Sequence, residues 1–260
     1  QLTAQLTNTV ATQHKVTHID AIQKIVFFEN GAQERYKHLI TTMPLNQLLV
    51  LTKADSRSSV QNAAHKLLCN GVININLGFK NQLAFNQHWL YFPEHTVPWY
   101  RIGFWHNIAP SLVPAGNGAI YSEFAYIPNK TNQHQLTRTI DAAQQKLLSF
   151  LGLTQQTINV QHVFNIKHAY VIYDLWRERN ITKLLMQLET NDIHSIGRYG
   201  AWKYSSMQEA FFDGKKAAET VQQNISTRYI KVFPAIRDPK KIHQKQIKIP
   251  SKNAQEKKEL

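Results

Sequence analysis

The most regular alternation of apolar and polar positions in the chain is Val72-Ile73-Asn74-Ile75-Asn76-Leu77. After its first pair it predicts a strand with one dry and one wet face. Upstream, Val16–Asp20 and residues 24–28 read as short strands. Asn30-Gly31 predicts a hairpin turn after them, because glycine adopts positive φ freely. Residues 36–42 read as the returning strand, which Met43-Pro44 breaks. A short helix is expected over Leu45–Leu51, with the proline near its first turn. Residues 61–68 carry a helical pattern that Asn70-Gly71 is expected to end. Further strands are predicted at 88–92, 99–105, 119–127, 158–166 and 170–173.

Residues 136–151 place Ile140, Ala143, Leu147, Leu148 and Leu151 on one helical stripe, and Gly152 ends it. Residues 175–188 also read as helix. The strongest helix signal is Ser206-x-x-Glu209, a capping box in which hydroxyl and carboxylate satisfy early amides. Met207, Ala210, Phe211, Gly214, Ala217, Ala218 and Val221 then recur at helical spacing. The expected fold class is mixed α/β (α+β), with an antiparallel or mixed sheet and flanking helices.

A length of 260 residues suits one or two domains, and 43% apolar with 18% charged residues excludes wholesale disorder. No apolar run approaches the roughly 18 residues of a membrane span. The lone cysteine, Cys69, excludes an internal disulfide and fits a reducing, cytoplasmic setting. Its neighbours Leu67-Leu68 suggest burial rather than a catalytic thiol. The chain begins with Gln and has no charged-then-apolar leader, so it is expected to be a piece of a longer polypeptide.

The net charge of +13 is unevenly placed: residues 228–260 hold ten basic and three acidic residues, about half of the excess. Such a tail can bind nucleic acid or an anionic membrane, although a solvated extension is the plainer reading. Twelve histidines form no helical ligand pair, so no metal site is expected. Gly116-Asn117-Gly118 after Pro114 reads as a turn rather than a phosphate cradle. The segment 88–106 gathers Trp89, Tyr91, Phe92, Trp99, Tyr100, Phe104 and Trp105 around Arg101. It reads either as core or as an aromatic wall with a cationic partner, suited to a ring and an anionic group. Residues 196–207 run a strand into a turn bracketed by Gly197 and Gly200, then into the capped helix. The free amides of such a helix start suit an anion or an electron-rich ring edge.

Gly197-Arg198-Tyr199-Gly200-x-Trp202-x-Tyr204-x-Ser206-Met207, followed by Gly214 and Ala217-Ala218, resembles the carboxy-terminal flavin-contacting motif of amine-oxidase-like flavoproteins. The similarity is to the branch of protoporphyrinogen oxidase and UDP-galactopyranose mutase. Residues 40–45, 88–94, Tyr100-Arg101 and 170–174 fall in the same order, so the resemblance covers roughly residues 16 to 222. It implies FAD as cofactor, with Gly197, Arg198, Tyr204, Ser206 and Met207 on the flavin side. It also implies Arg101, Tyr100 and Tyr91 as substrate-binding residues for a small, anionic substrate. Ser206 stands where the mutase motif has an Asp. The strand–Gly-rich turn–helix that opens such enzymes is not in this sequence. The resemblance therefore implies a carboxy-terminal portion that works with a missing segment or a separate chain. The implied division is 1–45 and 191–227 for the flavin-binding side, 46–190 for the substrate side, and 228–260 for the basic tail. Two alternatives are a redox-neutral, flavin-dependent sugar-nucleotide isomerase and a non-catalytic binding remnant.

Overall fold

The computed structural model describes residues 2–53, 62–128 and 130–232. The chain divides into two compact units, 1–217 and 218–260, and every strand and core residue discussed below lies in the first. The basic tail beyond Val232 lies outside the described residues, as does Gln61 at the start of the expected 61–68 helix. Among the described residues no helix is long and apolar enough to cross a membrane.

The elements in order are β1 (Val16–Asp20), β2 (Ile25–Phe28), β3 (Gln33–Arg35), β4 (Leu39–Thr41), α1 (Leu45–Leu51), β5 (Thr52–Lys53) and β6 (Cys69–Phe79). Next come β7 (Trp89–Tyr91), β8 (Arg101–Phe104), α2 (Trp105–Ile108), β9 (Gly118–Tyr126) and α3 (Gln133–Phe150). Last come β10 (Ile158–Val171), α4 (Leu175–Glu189), β11 (Ile193–Ser195), α5 (Gly197–Gly200) and α6 (Met207–Val232). They form a four-stranded sheet β3-β2-β1-β5, a five-stranded sheet β10-β6-β9-β8-β7 and a parallel pair β11-β4. The five-stranded sheet is antiparallel throughout. The mixed α/β class read from the sequence is the one observed.

Three local expectations change. Asn30-Gly31 does turn the chain, with Gly31 at φ +83° and the Asn30 side chain accepting from the Ala32 amide at 3.0 Å. The returning strand, however, is Gln33–Arg35, while Leu39–Thr41 leaves to pair in parallel with β11. Hydrogen bonds from Phe28 N to Ala32 O and from Gly31 N to Phe28 O close the turn before residue 33, so pairing is complete three residues early. Asn70-Gly71 does not end a helix but lies inside β6. There Gly71 faces the Tyr126 ring, which a Cβ would meet at 2.4 Å. The two strands expected at 158–166 and 170–173 are one strand, β10, carrying an irregularity between Ile166 and Tyr170.

Alternation along β6 divides the five-stranded sheet into two faces. Ile73, Ile75, Leu77 and Phe79 turn inward with Trp99, Ile102, Phe104 and Ile120, and α3 covers them with Leu136, Ala143, Leu147 and Leu148. Asn132 caps α3 by accepting from the Gln135 amide at 2.8 Å. A second cluster unites α1 and α4 with β1, β2 and β11, and buries Trp202.

The strand register sets what the other face displays. Tyr91, Arg101, Glu123, Asn74 and Phe164 stand in one row across all five strands, and Trp89, Gly103, Tyr121, Asn76 and His162 in the next. Gly103 is required here, because a Cβ would lie 2.0 Å from the Tyr121 ring that crosses it.

Gly103→Ala should therefore lower stability by about 1–3 kcal/mol, the usual cost of overpacking, read as a lower urea midpoint. Leu147→Ala, which empties a fully buried site under the sheet, should cost about 2–5 kcal/mol in the same assay.

Candidate functional site

On the open face of the sheet, Glu123 collects four donors. Arg101 reaches its Oε2 through Nε at 3.0 Å and Nη2 at 2.5 Å, and the Tyr100 hydroxyl joins at 2.9 Å. Asn74 Nδ2 donates to Oε1 at 3.0 Å. Asn76 Nδ2 donates to Asn74 Oδ1, and Trp105 Nε1 donates to Asn76 Oδ1 at 3.1 Å. A chain of side-chain dipoles thus runs from Trp105 to the carboxylate. Burial first, and then the Glu123 charge, push the Tyr100 phenol far above its ordinary value, so it stays a donor. The Arg101 guanidinium carbon lies 5.6 Å from the Tyr121 ring centroid and 6.0 Å from that of Tyr91. Tyr91 is 63% exposed and Trp89 about half exposed, so rings remain available above the polar row. A cavity of about 240 Å³ opens at the Asn76–Trp105 end, between Leu112, Pro114 and His162.

The glycine-bracketed loop is built by its attachment to β4. Parallel pairing of β11 with β4 continues as Ile196 N donating to Thr41 O at 2.9 Å. Gly197 follows at φ +76°, a conformation costly for other residues. Gly200 packs so closely that a Cβ would lie 3.1 Å from both Thr41 O and Ser195 Oγ. Trp202 also has positive φ, +50°, at a cost of about 1–2 kcal/mol. Full burial of its indole outweighs that strain, since deleting a buried Trp costs about 3–5 kcal/mol. Arg177 Nε holds the Trp202 carbonyl at 2.8 Å. Asp213 ties the loop to α6, accepting from Gly197 N at 3.2 Å and from Lys203 Nζ at 3.0 Å.

Helix α6 starts with the capping box its sequence predicts. Ser206 N donates to Glu209 at 2.6 Å and Glu209 N to Ser206 Oγ at 3.2 Å. The bonds from Ser206 hold the Glu209 carboxyl below its ordinary value. The amides of Met207 and Gln208 are the first-turn donors outside the capping-box bonds. Tyr204 is 64% exposed and Met207 is 92% exposed beside them. The Tyr204 amide donates to the Tyr173 hydroxyl at 2.8 Å, which fixes a second exposed ring next to the first.

Arg198 ties the loop to β10. Its guanidinium carbon is 4.9 Å from the Tyr170 ring and 4.8 Å from the Tyr204 ring, and these rings stack at 6.1 Å and 15°. Nη1 donates to Ser205 O at 3.3 Å and Nη2 to Ala169 O at 3.0 Å; Nε is buried without a partner. Tyr170 belongs to β10, an edge strand of the five-stranded sheet, so the loop is anchored to that sheet.

The structure brings Tyr91, Tyr100 and Arg101 together on the sheet and Gly197, Arg198, Tyr204, Ser206 and Met207 together at the loop. The aromatic segment divides between both of its readings: Trp99, Phe104 and Phe92 belong to the core, while Trp89, Tyr91 and Trp105 serve the open face. Sequence reasoning missed Glu123, Asn74, Asn76, Tyr121 and Tyr170 as site residues. The available signal for Glu123 was a single acid inside the otherwise uncharged run Gly118–Tyr126, since carboxylates are rarely buried without a partner.

The family model described as flavin containing amine oxidoreductase matches residues 1–222. Among solved structures, a reduced UDP-galactopyranose mutase superposes with a TM-score of 0.74 at 26% identity, over 83% of this chain and 48% of that one. An Exiguobacterium sp. 255-15 protein assigned as a protoporphyrinogen oxidase gives 0.60 at 11% identity, over 83% and 45%. A Pyrococcus furiosus protein gives 0.52 at 13%, over 80% and 46%. The last two likenesses are of fold alone. The chain spans about half the length of these structures.

The depressed Glu209 carboxyl makes a pH prediction. Its contribution is present above the ordinary glutamate value of about 4.3 and is lost as pH falls through the lower folded value. The stability gap between the wild type and Glu209→Gln, measured by urea unfolding, should be constant near neutrality and close in acid.

Proposed function

The chain belongs to the flavin-containing amine oxidoreductases, and we propose that it is the substrate-binding and flavin-covering portion of an FAD-dependent oxidoreductase. The observation that supports this reading is the Arg198–Tyr170–Tyr204 junction, which packs Tyr170 of the sheet's edge strand β10 against Tyr204 just before α6. When bound, FAD would supply the electron transfer. Tyr204, Met207 and the first-turn amides of α6 fit the electron-rich edge of a flat ring, because the helix start carries partial positive charge. Gly197 and Ser206 shape that edge: one sets the bend, the other caps the helix. Tyr91, Tyr100 and Arg101 face the substrate, a small molecule.

In this reading residues 1–45 and 191–227 serve the flavin side and 46–190 the substrate side. The pyrophosphate of FAD would be held by a nucleotide-binding segment on a preceding stretch or a separate chain. The proposal places the protein in the cytoplasm, on the strength of its single cysteine. The 26% identity to a UDP-galactopyranose mutase favours one second reading, a redox-neutral isomerisation of a sugar nucleotide. Product analysis with UDP-galactopyranose under reducing conditions separates the two.

Mixing this chain with its nucleotide-binding partner segment should give a yellow, flavin-loaded complex; a colourless mixture of folded partners overturns the proposal. Met207→Glu should weaken flavin retention by about tenfold or more through repulsion at the ring edge. Because Met207 is almost wholly exposed, circular dichroism of that variant should be unchanged.

A further inference from the structure

A separate concave feature lies on the α3 side of the five-stranded sheet. The loop at 93–98, between β7 and β8, runs beside α3, and a cleft of about 680 Å³ opens between them. None of the candidate site residues lines it. Arg138, Ala142 and Lys146 follow one another at four-residue spacing and form its helical wall. Ala142 carries only a methyl group, which leaves the middle of that wall low. Lys146 Nζ donates to the Thr96 carbonyl and holds the loop to the helix. His95, His134, Arg138 and Lys146 border the cleft, and no carboxylate does. Glu94 and Asp141, the acids nearest to them in sequence, lie outside its lining. Two acceptors at the rim are already engaged, Thr96 O by Lys146 and Asn132 Oδ1 by the Gln135 amide. The Arg138 guanidinium, by contrast, has no hydrogen-bond or ion-pair partner among the described residues. The cleft therefore offers a surplus of donors and of positive charge, and concave walls of one sign concentrate the field between them.

We propose that this cleft is a binding site for the phosphate group of a small molecule, seated between Arg138 and His134 on α3 and His95 on the facing loop. The two helix residues are one turn apart, so both reach the same point above the helix. The planar fork of Arg138 matches two phosphate oxygens, and the imidazoles supply further N–H donors. No Trp, Tyr or Phe lines the cleft, so nothing there stacks a base, and the phosphate itself is the recognised group. A single recess fits a soluble phosphate ester or diphosphate better than a membrane plane or a nucleic-acid strand, which calls for an extended basic track. Lys146 is a positioning residue: it fixes the loop that carries His95. The site does not depend on the flavin reading, because it shares no residue with it.

The test titrates the full chain with inorganic pyrophosphate in metal-free buffer and follows backbone amide shifts by NMR. Saturable shifts should cluster at residues 95–98 and 132–146 and weaken with added salt. Arg138→Met should reduce the affinity by about tenfold or more. Ala142→Phe, which fills the cleft from an exposed position without touching a charge, should do the same. Arg179→Met removes an exposed arginine elsewhere and should leave the affinity unchanged. Shifts confined to the basic tail at 228–260, or an equal loss in Arg179→Met, overturn the proposal, since both mark attraction by net charge alone. Sedimentation with phosphatidic acid vesicles separates the two sources of phosphate. Binding to vesicles that needs Arg138, with no binding of pyrophosphate, overturns the small-molecule assignment. Because Arg138 and Ala142 are both exposed, each variant should keep the wild-type thermal midpoint, and either one alone suffices for the comparison.

Discussion

A carboxylate placed in the middle of a five-stranded sheet must be paired where it stands, and the pairing of Glu123 organises everything around it. Leaving such a group without partners costs several kcal/mol, so the strands that flank β9 have to deliver donors at fixed register. Arg101 on β8 and Asn74 on β6 are the residues opposite Glu123 in that register, and both donate to it. Tyr100 adds a third partner from just before β8. Asn74, held by the carboxylate, accepts from Asn76, which accepts from Trp105. One charge in a strand thus orients side chains on both neighbouring strands and at a helix start.

The same face is kept open by what the other face does. Apolar residues of β6, β8 and β9 are drawn beneath α3, which leaves the alternate positions to polar and aromatic groups. Gly103 removes the one Cβ that would stop the Tyr121 ring from lying across β8. The loop at 197–200 follows a parallel logic at a different place. Its bend is imposed by attachment to Thr41, and its two glycines answer two separate needs, positive φ and close backbone approach. Buried Trp202 and the Asp213 bridge then lock the bend, so that Tyr204 and Met207 are presented outward at the start of α6.

Much of this was readable beforehand. The strand alternation of β6, the stripe on α3 and the capping box of α6 are local patterns, and local patterns survive folding when tertiary contacts agree with them. Hairpin register was not readable, because hydrogen bonds around Gly31 closed the turn earlier than the apolar pattern of residues 36–42 suggested. Nor was the place of Gly71, whose meaning depends on a tyrosine fifty-five residues away in β9. Arg101 and Arg198 stood out as cations in sequence. Their partners, a carboxylate from β9 and two carbonyls from β10 and the loop, come from distant stretches of chain.

The order of residues alone determined the mixed α/β class, the apolar faces, the caps and the flavoprotein resemblance, because each depends on spacing within a few turns or a single motif. Tertiary structure alone decided that Glu123 pairs with Arg101, that Arg198 ties β10 to the loop, and that half of one aromatic segment is core. The physical reason is that charge balance and ring exposure are properties of neighbours across strands, and strand register is set by pairing between segments that composition and periodicity treat separately.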